Sequence, residues 1–153
     1  MISPEQQPIT TTNIEDQVEE ASIKEDRIAA GQLIERLKNR APSEWHRNNI
    51  ELLARIGDMN FAAYLMLPNI DPYARELATD FLEDFVNSYD SDEAMAQDFF
   101  VTLGLKRAIA ETVTDHDIPA DAVVVNTPVM AAHLKDFYNV VELAGRVYVF
   151  KKK

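Results

Sequence analysis

Cysteine is absent from this chain of 153 residues. That excludes disulfides, a thiolate metal site and a thiol nucleophile. It suits a reducing compartment, and a cytoplasmic location is the expectation. Glycine is scarce. Gly31, Gly57, Gly104 and Gly145 stand alone, so no glycine-rich loop is available to cradle phosphate. No G-x-S-x-G segment occurs, which removes the nucleophile turn of the α/β-hydrolases. Apolar runs such as Phe61–Leu67 are far shorter than the roughly 20 residues that cross a membrane. The start, Met-Ile-Ser-Pro-Glu, has no basic residue and no apolar core, unlike a secretory signal. Bases are outnumbered, with 15 Lys and Arg against 26 Asp and Glu for a net charge of -11. Such a chain is repelled by nucleic acid and anionic lipid, so neither direct nucleic-acid binding nor membrane binding is expected. No motif names a reaction, a cofactor or a resident metal, and the expectation is a protein that is not an enzyme.

What is present is charge sorted by segment. Residues 1–26 hold seven acids against Lys24, and residues 71–98 hold nine against Arg75. Residues 27–70 sum to +2 and residues 101–153 to +1. The 46% hydrophobic content is that of a globular chain, and the length suits one domain. Residues 1–21 read as a flexible acidic arm, too polar to offset the entropy of ordering when free. Within the arm, Thr12 and Glu15 have capping-box spacing, and Ile14 and Val18 lie one helical turn apart. A single globular domain is expected over 22–153.

That domain is expected to be α+β and mostly α-helical, with five to six helices and a small C-terminal three-stranded sheet. Ser22 and Glu25 start a helix ending near Asn39. Trp45, Leu52, Leu53 and Ile56 form the apolar stripe of the next, which closes at Gly57. Asp58 caps a short apolar helix to Leu67, and Pro68 stops it. Asp71-Pro72 opens a helix in which Tyr73, Leu77, Phe81, Phe85 and Tyr89 recur every four residues. Glu76, Asp80, Glu83 and Asp84 occupy its other side. Asp90 or Ser91 caps a core helix through Val113 that Gly104 bends or divides. Over 115–153 the pattern is strand, helix and hairpin. Ala122–Val125 is the buried strand, Thr127-Pro128 starts the helix, and Ala144-Gly145 joins the hairpin with Gly145 at positive φ.

Three clusters merit chemical scrutiny. Asp115-His116-Asp117 has metal-type ligands, but neighbours in sequence diverge in direction and rarely close on one ion. Asp90, Asp92, Glu93 and Asp98 have the acidity of a calcium loop without its central glycine. The aromatic ladder of 73–89 lacks the positive charge of a base-stacking platform and reads as core.

The leading expectation is therefore protein–protein interaction. An assembly or accessory protein would engage a partner with a basic surface through Ile14, Val18, Glu76, Asp80, Glu83 and Asp84. Homo-oligomerisation is compatible with this reading, and the size and arm suit a component of viral or phage origin. Two alternatives remain: an acidic inhibitor that mimics nucleic acid to block a basic cleft, and a low-affinity calcium-binding protein.

Overall fold

The computed structural model describes residues 11–153. Among them lie seven α-helices and one three-stranded antiparallel sheet: α1 (Thr11–Asn39), α2 (Glu44–Gly57), α3 (Met59–Leu65), α4 (Leu77–Asp84), β1 (Phe85–Tyr89), α5 (Asp92–Thr102), α6 (Leu105–Asp115), α7 (Thr127–Phe137), β2 (Tyr138–Leu143) and β3 (Arg146–Lys151). The fold is mostly α-helical α+β, with its sheet closing at the C-terminal end.

The sheet order is β1-β3-β2, so β3 is central. Its Val147, Tyr148, Val149 and Phe150 are all buried, and successive side chains point to opposite faces. Tyr148 and Phe150 enter one core with Ile50, Leu53, Phe61, Tyr64 and Phe81 from α2, α3 and α4. Val147 and Val149 enter a second core with Met95, Phe99, Ala131 and Leu134 from α5 and α7. One strand thus separates two helical layers.

The third strand is β1, and this corrects the sequence expectation twice. The helix expected to run from Asp71-Pro72 through Tyr89 is confined to α4. Asp71 accepts a hydrogen bond from the Tyr73 amide at 2.9 Å, closing a turn instead of capping a helix. Phe85–Tyr89 leaves the helix because β3 has a second edge to satisfy. Phe85 pairs with Phe150, Ser88 with Tyr148 and Tyr89 with Val147, with a bulge between Phe85 and Asn87. Weak helix formers there (Val86, Asn87, Ser88, Tyr89) lower the cost of that choice. Ala122–Val125, expected to be the buried strand, is instead the end of a short 3-10 turn followed by irregular backbone, and Val124 is 83% exposed.

Other signals acted as read. Ser91 caps α5 by accepting from the Ala94 amide, and Gly104 at φ +74° divides α5 from α6. The helix after that break is not core, since only Val113 of α6 is buried. The apolar helix α3 buries Phe61, Ala62, Ala63 and Tyr64. In the hairpin both turn residues have positive φ, Ala144 at 51° and Gly145 at 74°. A Cβ on Gly145 would lie 3.0 Å from Ile23 Cδ1, so α1 presses on this turn.

Candidate docking surfaces

Helix α1 is one element, with no break at Ser22. Its body-facing line is Ile23, Ala30, Ile34 and Leu37, at spacings of seven, four and three. Ile14, Val18, Ala21 and Ile28 repeat with spacings of four, three and seven, offset by nine residues from the first line. Nine residues are about two and a half turns, which puts the second line on the opposite side. Ile14, Val18 and Ile28 are each half or more exposed, Val18 reaching 64%. The last anchors of α1 to the body are Ile23 at the hairpin turn and Asp26, whose carboxylate accepts from the Ala144 amide at 2.9 Å. Residues 14–22 are exposed throughout, and their charges are Glu15, Asp16, Glu19 and Glu20. Residues 1–10 of the expected arm lie outside the described residues.

The acids of α4 and its N-cap divide into two pairs. Glu76 and Glu83 are exposed. Asp84 is not part of the open face expected of it, being 7% exposed and buried at the end of α4. The Tyr64 hydroxyl donates to its Oδ2 at 2.9 Å, and Lys153 Nζ lies 3.4 Å away. Burial first, then this carboxylate, raise the Tyr64 hydroxyl pKa well above the ordinary tyrosine value. Asp80 is half-buried and shares Lys153 at 3.5 Å. Position within the helix explains the inversion. Asp84 is the last residue of α4 and lies three and seven residues from Phe81 and Leu77, on the face that meets the core. A buried carboxylate is tolerated there because a hydroxyl and an ammonium group answer it.

The calcium-like cluster is likewise committed. Asp90 pairs with Arg146, Asp92 with Lys135 at 2.9 Å, and Asp98 accepts from the Tyr89 hydroxyl at 2.6 Å. Among the described residues no three His, Asp or Glu side chains converge on a point where an ion could sit. His116 ends α6, and Asp115 and Asp117 beside it are exposed.

The apolar stripe of α2 divides between core and solvent. Of the α2 stripe, only Leu53 is buried; Trp45 (53%), Leu52 and Ile56 face solvent. The core side of α2 is Ile50, Leu53 and Gly57. Gly57 belongs there because an added Cβ would lie 2.8 Å from Phe61 Cβ. The signal was available: apolar residues at 45, 50, 52, 53 and 56 span more of the circumference than one core face needs.

No protein-family model, no curated protein and no solved structure matches the chain. The chemistry of its own surfaces carries the functional reading. No helix among the described residues is long and apolar enough to cross a membrane.

Proposed function

We propose that this chain is a non-enzymatic docking protein, an assembly or accessory component that engages another protein through the N-terminal half of α1 and the outer acids of α4. The observation that carries the reading is the exposure of residues 14–22 around the whole helix. An unsupported helix of that length is marginal in water, and its two large apolar side chains enter neither core among the described residues. Seating them in a partner's groove would supply the missing burial, as amphipathic helices do in groove recognition. Glu15, Asp16, Glu19 and Glu20, with Glu76 and Glu83, favour a basic rim around that groove.

The competing reading, an acidic mimic of nucleic acid, needs its carboxylates in the open. Asp84 is enclosed and Asp80 is paired with Lys153, which weakens it. Salt separates the two. A mimic should lose affinity steeply as salt rises, whereas an apolar-anchored helix should hold.

The test is capture from a lysate at low and moderate salt, read by mass spectrometry. Ile14→Asp with Val18→Asp is expected to abolish capture while the melting temperature stays unchanged. Capture at the wild-type level would remove the α1 site. For the acidic face, Glu76→Lys with Glu83→Lys is expected to slow association without a change in stability. Asp84 is excluded from that charge reversal, because a lysine there would disrupt the core.

A further inference from the structure

We propose that the groove receiving the acidic half of α1 is supplied by a second copy of this chain, in the exposed line Trp45, Leu52 and Ile56 on α2. The inference deepens the docking reading and rests on its claim that residues 14–22 are a docking element.

The acceptor is a coherent surface. Trp45, Leu52 and Ile56 are spaced by seven and four residues, so they share one line down α2, and each is more than half exposed. Single exposed apolar residues need no explanation, but a tryptophan, a leucine and an isoleucine in one line make a patch of the kind that partners cover. The two-helix stretch that carries this line is positive overall. Residues 27–57 carry six bases against Glu35, Glu44 and Glu51, in a chain whose net charge is -11. Among the described residues, Arg36, Arg40, Arg47 and Arg55 form no salt bridge.

The donor is its complement. Residues 14–22 carry four acids and no base, with Ile14, Val18 and Ala21 at spacings of four and three. Apolar line meets apolar line, with Glu15, three residues from Val18, at the border of the first and Arg55, three residues from Leu52, at the border of the second.

The two halves cannot meet within one chain. Helix α2 turns back from Asn39 and runs antiparallel along α1. Its far end, at Ala54 and Asp58, lies beside Arg27 and Ala30, lining one shared cavity with them. Beyond that point α1 continues past Ile23 as unbroken helix and moves away from α2. A straight helix does not fold back on its neighbour, so the match is made in trans. The contact is heterologous. Two copies that exchange arms close a pair, and copies that do not close extend as a chain.

The experiment uses the full chain, with mass read by light scattering and sedimentation up to about 100 μM, where modest interfaces associate. The wild type is expected to exceed the mass of one chain. The arm variant (Ile14→Asp with Val18→Asp) and the stripe variant (Leu52→Asp with Ile56→Asp) are each expected to run as single chains. Mixed together they should associate again, because the first retains a working stripe and the second a working arm. Arg55→Glu, which removes no apolar contact, should weaken pairing several-fold at low salt. Glu15→Arg on the arm should restore it.

A wild type that stays a single chain throughout overturns the proposal. So does a mixture that fails to associate while the wild type pairs, since that outcome points to α1 meeting α1. If the wild type is monomeric yet captures a different protein through Ile14 and Val18, the self-pairing falls and the docking reading stands. If it pairs but the mixture fails and capture is unaffected by the arm variant, both fall.

Discussion

Residues 147–150 and 122–125 are both short apolar runs rich in valine. The first is buried on both faces, while in the second Val123 and Val124 stand in solvent. Composition does not separate them; neighbours do. A two-residue turn hands β3 its partner β2, with Val149 opposite Val140, and α4 ends in time to deliver β1 to the other edge. Residues 122–125 pair with no strand among the described residues, and Val123 and Val125 lie beside α6, itself a surface helix. A β-branched run becomes a strand only where both the edge bonds and the covering faces exist.

The largest break in this contrast is at Phe150. Its ring lies 5.3 Å from that of Tyr64 and 5.8 Å from that of Phe85, with no exposed surface. Phe150→Ala is expected to cost about 3–5 kcal/mol, from lost burial and a cavity that close-packed neighbours cannot refill. Chemical denaturation measures it. A cost near that of a surface substitution would mean that β3 is not the centre of the fold.

The same core holds a charge, and a smaller effect is expected there. Tyr64→Phe leaves Asp84 Oδ2 with Lys153 alone and is expected to cost about 1–3 kcal/mol at neutral pH. The pH dependence has a definite sign. Burial and its carboxylate partner raise the pKa of Tyr64, as burial and Asp98 do for Tyr89. A raised pKa contributes stability that is whole below the ordinary tyrosine value of about 10 and is lost as pH climbs beyond it. Wild type should therefore weaken in alkali, and Tyr64→Phe should weaken less steeply. Parallel alkaline profiles would show that the Tyr64 hydroxyl is not held as described.

Local chemistry was legible in the sequence wherever one residue decides the matter. Ser91 as a cap, Gly104 as a break, and Ala144-Gly145 as a turn all follow from the preferences of single side chains. Ile14 and Val18 were legible as unusual, because apolar residues were rare in an acidic segment. What failed were inferences from periodicity to burial. The recurrence of Tyr73, Leu77, Phe81, Phe85 and Tyr89 fits a helix, yet Phe85–Tyr89 answers an edge of β3 about sixty positions away. Asp84 looked like a surface acid until Tyr64 and Lys153 met it. Trp45, Leu52, Leu53 and Ile56 form one apolar stripe, yet only Leu53 of the four joins Ile50 and Gly57 in the core. A pattern states that a face is apolar; it cannot state what covers it.

The smallest effect is expected at Val124, and it decides between two placements of the sheet. Were residues 122–125 a central strand, Val124→Ser would bury a hydroxyl in place of a branched apolar side chain and cost well over 1 kcal/mol. With Val124 83% exposed, the same substitution removes almost no buried surface. The expected change is within about 0.5 kcal/mol, as for surface positions in general. Denaturant midpoints of Val124→Ser and Phe150→Ala, measured side by side at unchanged slope, give the contrast directly. Equal losses at the two positions would place both runs in the core and return the third strand of the sheet to residues 122–125.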